Sequence, residues 1–122
     1  MNNEQLQVKL HQAMQKQCEA QGYATPVDVL MDIGVLSRKN YEDWRYGKIP
    51  FLEKACTINM HKLSYIMREM RVYARENQWK PSMTVYTKWG KKSSETLYFS
   101  KNRLAEIERA YATHFVDTGR RK

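Results

Sequence analysis

The stretch Thr25–Pro50, TPVDVLMDIGVLSRKNYEDWRYGKIP, decides how this chain is read. Thr25 is a good N-cap, Pro26 is pre-shaped for the first helical position, and Asp28 sits in the positive first turn. Val27, Leu30, Met31 and Ile33 fall inward at helical spacing, and Gly34 ends the helix. Val35 and Leu36 make an apolar turn. Ser37 caps a second helix from Arg38 to about Tyr46, which Gly47 closes. Tyr41 and Trp44 are three apart and share one side, which leaves Arg38, Lys39, Glu42, Arg45 and Tyr46 towards solvent or a partner. The pattern is helix, short glycine turn, helix. A helix-turn-helix needs a glycine at the sharp turn, an apolar plug after it, and buried positions on the second helix, so that the outer face can enter a major groove. Gly34, Val35, and Tyr41 with Trp44 fill those roles. The plainer alternative is a tight corner in a small helical protein.

Outward from this segment, the pattern stays helical and then changes period. Asn3–Gln21 reads as a first helix with Leu6, Leu10, Ala13 and Met14 on one face and Gly22 as its stop. It is a packing helix in the plain reading and a dimerisation helix in the sharper one. Beyond Pro50, a short helical piece near Cys56 leads to a longer helix capped by Asn59 or Thr57 and reaching about Asn77. Its core stripe is Leu63, Ile66, Met67, Met70, Tyr73 and Ala74. Ser64, Arg68, Arg71 and Arg75 line its opposite side. After Pro81, SMTVYTKW alternates as a strand does. ETLYFS resumes that alternation beyond Gly90-Lys91-Lys92-Ser93-Ser94, with Leu97 and Phe99 inward, so the two runs predict a β-hairpin lying on the helices. Ser100 or Asn102 is expected to cap a last helix carrying Leu104, Ile107, Ala110, Tyr111 and His114. The expected fold is α+β, mostly α, with about five helices, a helix-turn-helix-like pair and one wing-like hairpin. Residues 1–116 read as one domain and 117–122 as a flexible basic tail.

Charge is the most informative bulk property. The 122 residues carry 21 Lys and Arg against 13 Asp and Glu, a formal net charge of +8. Residues 37–92 hold 13 of those basic residues and 5 of the acidic ones, so the middle of the chain carries the whole excess. Such a block attracts phosphate backbones or an acidic protein; its plain reading is a solubilising surface. The N-terminus has no apolar signal-peptide core and no run approaches the length of a membrane span, so a cytoplasmic protein with no membrane partner is expected. Cys18 and Cys56 read as reduced core thiols.

Site chemistry argues against an enzyme. No phosphate loop, nucleophile motif or paired carboxylates occur. Cys56 with His61, and His11 with Cys18, lack a companion at metal spacing, so no metal and no cofactor is expected. Duplex DNA binding would use Arg38, Lys39, Arg45 and Lys48 at the groove, and Lys88, Lys91 and Lys92 on the wing. Arg68, Arg71 and Arg75 would form a second rail. So few cations imply weak single-site binding unless the protein forms a homodimer. Two alternatives stand beside it. One is an interaction module that meets an acidic protein partner through Trp44, Tyr46, Phe51 and Trp79 as anchors. The other is single-stranded nucleic acid stacked on Tyr86, Trp89 and Tyr98 of the basic hairpin. Trp89 discriminates: exposed, it favours stacking; buried, it favours structure.

The Thr-Pro cap, the Gly-Val-Leu-Ser turn, the aromatics and the exit Arg45-Tyr46-Gly47-Lys48-Ile49-Pro50 resemble the helix-turn-helix of excisionase-like and MerR-like regulators. The resemblance spans about a fifth of the chain and implies DNA binding by the second helix. The turn is one residue longer here, Leu30 replaces a small residue, Glu42 and Asp43 add negative charge to the reading helix, and a long helix precedes the wing. Taken whole, the chain resembles small bacterial proteins with a Tyr-x-x-Trp-Arg-x-Gly-x-x-Pro-x-Leu-Glu core, matched by Tyr41, Trp44, Arg45, Gly47, Pro50, Leu52 and Glu53. That likeness implies a self-contained domain and no particular activity.

Overall fold

The computed structural model describes residues 2–90 and 95–120. Helix α1 spans Asn3–Gln21. Asn2 accepts a hydrogen bond from the Gln5 amide while the Gln5 side chain accepts one from the Asn2 amide, a reciprocal cap that fixes the start. Strand β1, Tyr23–Ala24, follows Gly22. Helices α2, Pro26–Asp32, and α3, Arg38–Arg45, start at Thr25 and Ser37, whose hydroxyls accept from the Asp28 and Asn40 amides at 3.0 Å. A short α4, Leu52–Ala55, leads to α5, Met60–Glu76, capped by Asn59. Strand β2 is Lys80–Met83, α6 is Ala105–Ala112, and β3 is Thr113–Val116, followed by a 3-10 turn over Thr118–Arg120. The described residues therefore form an α+β fold, mostly α, with six α-helices and a three-stranded antiparallel sheet in the order β1-β3-β2.

The sheet is the part that pattern did not predict. Tyr23 lies opposite Val116, and Lys80, Pro81, Ser82 and Met83 lie opposite Val116, Phe115, His114 and Thr113. The strand expected from Ser82 to Trp89 instead starts at Lys80 and ends at Met83. The Thr84 amide donates to Ala112, 3.0 Å away. By antiparallel alternation, Ser82 and Lys80 also turn their amides to β3, so Pro81, which has no N–H, occupies the outward position of this edge strand.

Among the described residues the expected hairpin shows one bridge, Thr87 with Thr96, flanked by hydrogen bonds from the Lys88 amide to the Glu95 carbonyl and from the Leu97 amide to the Tyr86 carbonyl. Neighbouring helices take the other backbone groups. The Trp89 amide donates to the Arg45 carbonyl, and the Tyr98 carbonyl accepts from both the Leu52 amide and the Trp44 indole. The Phe99 carbonyl accepts from Glu53, while the Phe99 and Ser100 amides donate to the Glu108 carboxylate, each at 2.9 Å. The hairpin tip, residues 91–94, lies outside the described residues, as do residues 121–122.

The last helix begins later than expected, because Ser100 is bonded to Glu108 and Arg103 turns the chain with φ +54°. Leu104, not Ser100 or Asn102, is its N-cap. His114 is on β3 and not on that helix. Asp117 donates its amide to the Gly22 carbonyl, 2.9 Å away.

The buried side chains form one continuous cluster that includes Leu10, Met14, Leu30, Trp44, Ile66, Met70, Phe99 and Tyr111. α1 packs on α5, where His11 stacks on Tyr73 with ring centres 3.9 Å apart and Gln15 donates to the Tyr73 hydroxyl. Buried Gln17 links α1 to α2. Its carbonyl accepts from the Thr25 amide and its amide donates to Asp32, so both ends of a buried polar group are satisfied. Among the described residues, no helix is long and apolar enough to cross a membrane.

Candidate nucleic-acid interface

The helix-turn-helix segment forms a tight corner. Gly34 has φ +84°, a conformation that other residues adopt at a cost, and the Val35 and Leu36 amides both fold back onto the Leu30 carbonyl. Val35 and Leu36 are buried, and the Val35 carbonyl accepts from the Thr57 amide and hydroxyl. Trp44 is wholly buried, among Tyr86, Phe99 and Tyr41. With Trp44 inward, Arg38 and Lys39 face solvent on the opposite side of α3.

Its charge is another matter. Arg38 pairs with Glu42 at 3.1 Å and Lys39 with Asp43 at 3.0 Å, so each cation faces an acid one turn away. Exposed pairs of this kind contribute about 0.3–0.5 kcal/mol, so phosphate can displace them, but the face has no net charge to attract it from a distance. Arg45, expected to face outward, does not. Its guanidinium lies over Trp89 at 4.8 Å, Tyr86 at 5.2 Å and Tyr41 at 6.0 Å, and its buried Nε has no hydrogen-bond partner among the described residues. Lys48 is exposed beyond the helix end. Lys88 is half-buried, with its terminal methylene 2.8 Å from where a Cβ would stand on Gly47. Lys91 and Lys92 lie outside the described residues.

The wing-like segment packs against α3 instead of projecting from it. Trp89 makes edge-to-face contacts with Tyr41 at 5.7 Å and Tyr46 at 5.4 Å. Tyr86 belongs to the Trp44–Phe99 cluster, and Arg103 lies 3.8 Å over the Tyr98 ring. These three aromatics do not form one open platform, which removes the geometric basis for stacking successive bases on them.

The second rail has the opposite character. Arg68, Arg71 and Arg75 are exposed along one side of α5, spanning about 10 Å at the helical rise. Among the described residues none of them forms an ion pair. Lys80, which sequence reasoning did not single out, continues the row. The Gln78 backbone, at φ +60°, turns the chain back at the end of α5, and the first residue of β2 thereby falls beside Arg71 and Arg75 on one groove. The only sequence signal for this was a basic residue immediately after Trp79.

The groups that could do chemistry are quiet. Burial, with Glu53 adding to it, pushes the Cys56 thiol up to about 12, which disfavours a thiolate nucleophile. Burial also raises the Glu53 carboxyl, opposed by the hydrogen bond it accepts from Tyr111 at 2.8 Å. No group of three or more His, Cys, Asp or Glu that could hold a metal ion occurs among the described residues.

No protein-family model matches the chain, and no curated protein or solved structure matches it.

Proposed function

We propose that this chain is a nucleic-acid-binding protein that holds duplex DNA chiefly through its phosphates. The observation that carries the reading is the row Arg68, Arg71 and Arg75, exposed on one face of α5 and without ion pairs among the described residues. Arginine forks match phosphate oxygens, and unpaired cations in a row supply the counterion release that dominates such binding. The α2–α3 corner supports a second, sequence-reading contact through Arg38 and Lys39, whose side chains are 71% and 83% exposed. The resemblance of Thr25–Pro50 to excisionase-like and MerR-like regulators points the same way. The absence of a disulfide between Cys18 and Cys56 fits a cytoplasmic setting.

Binding of labelled random duplex and single strand, at about 50 and 200 mM salt, tests the reading. With three or four phosphates neutralised, duplex affinity is expected to fall about 40- to 150-fold between the two salts. The Arg68→Glu/Arg71→Glu/Arg75→Glu variant is expected to lose more than tenfold at the lower salt, and Arg38→Glu/Lys39→Glu to lose sequence preference after site selection. No duplex binding at the lower salt, or binding unchanged in the triple variant, would overturn the proposal.

A further inference from the structure

Between the C-terminal half of α5, the first residues of β2 and the α6–β3 junction lies a half-open groove of about 450 Å³. Its size is that of a small-molecule site. Ala74, Trp79, Ala110 and Phe115 supply an apolar floor, and Arg71, Arg75 and Lys80 stand around it. Among the described residues no acidic side chain lines the groove. Trp79 and Phe115 are 7% and 6% exposed, so the floor is held by the core and does not depend on a mobile side chain. Among the described residues the three cations form no ion pair.

An apolar floor with three unpaired cations beside it is complementary to a molecule with an apolar body and an anionic end. The body covers the apolar surface that the groove leaves exposed, and the anion accepts charge-assisted hydrogen bonds from the exposed arginines at its rim. A fully apolar ligand would leave the cations without a partner, and a small inorganic anion would leave the floor wet. We propose that this groove binds an amphiphilic organic carboxylate, one with a medium-length acyl or aromatic body.

The test uses the whole chain, decanoate as probe and decanol as its uncharged counterpart, with no nucleic acid present, so its outcome is separable from that of the DNA-binding reading. Binding is followed by amide chemical-shift changes. Saturable one-to-one binding is expected, with shifts confined to the Met67–Pro81 and Ala110–Phe115 regions and decanoate held at least about tenfold tighter than decanol. Arg71→Gln/Arg75→Gln is expected to abolish that preference while leaving the decanol affinity in place. Ala110→Leu, which fills the groove without changing charge, is expected to weaken both ligands. Equal affinity for decanoate and decanol, a preference retained by the arginine variant, or shifts that neither saturate nor localise would overturn the proposal.

Discussion

Arg45 shows how a single residue changes meaning once its surroundings are known. Its position on α3, one turn beyond Tyr41, is that of a groove-facing cation. In the fold it is the centre of an aromatic cluster that fastens Tyr86–Trp89 to the helix, with Trp89 and Tyr86 over its guanidinium and the Trp89 amide on its own carbonyl. Its charge therefore serves stability. Arg45→Ala is expected to lower unfolding free energy by about 2 kcal/mol in urea titration, with Arg45→Lys recovering only part of it, because a lysine loses the planar stacking on Trp89. A variant as stable as the parent but defective in binding DNA would return Arg45 to the interface. Trp44 changed less: its spacing of three residues from Tyr41 was legible, and it is buried. What could not be read was its indole N–H on the Tyr98 carbonyl, 54 residues away in the chain.

At the scale of elements, ends with local causes were readable and ends with distant causes were not. The caps Thr25, Ser37 and Asn59 act within three residues, and α2, α3 and α5 begin where those side chains place them. The end of α5 is instructive in the other direction. Gln78 adopts a left-handed conformation that glycine ordinarily fills, the Trp79 amide reaches back to Ala74, and the chain enters β2. This turn puts Trp79 into the groove floor and Lys80 beside the arginines. Gln78→Gly relieves the left-handed strain and is expected to stabilise the protein by about 0.5–1 kcal/mol, seen as a raised thermal midpoint. A lowered midpoint would mean that the Gln78 side chain supplies something the turn needs. The β2 and β3 strands lacked a clear local signal: four residues each, one bearing a proline and the other continuing directly from a helix, they pair only because α5 and α6 deliver them to each other.

For the molecule as a whole, two partly buried titratable groups link elements and should give its stability opposite slopes with pH. Glu53 ties α4 to α6 through the Tyr111 hydroxyl, and burial raises its carboxyl above the ordinary value. Just above the usual carboxylate range the folded chain holds a proton that the unfolded chain has released, so this group favours folding as the pH falls through that window. Glu53→Gln is expected to abolish that gain while keeping an acceptor for Tyr111. His114 on β3 lies near the Tyr86 hydroxyl and stacks on Tyr23, and burial lowers its pKa from the ordinary 6.5. Here the unfolded chain takes up the proton first, so stability is held above that value and lost as the pH drops below it. Urea titrations across about pH 4 to 7 on the parent, Glu53→Gln and His114→Gln check both signs. A parent curve whose slope neither variant changes would show that other groups set the acid response.

The sequence by itself determined α1, α2, α3 and α5, the caps Thr25, Ser37 and Asn59, the glycine corner between α2 and α3, the inward faces of α1 and α5, and the concentration of positive charge in the middle of the chain. These follow from periodicity and from side chains that act within one turn of helix. Only the tertiary structure decided which of those charges is free. Two on α3 are matched by acids, one is enclosed by aromatics, and the α5 row stands open beside Lys80 and an apolar floor. The reason is physical: a cation's availability depends on what packs against it, and while the acids facing Arg38 and Lys39 lie one turn away on α3 itself, the neighbours of Arg45 and of the α5 row come from segments brought close by the packing of distant helices.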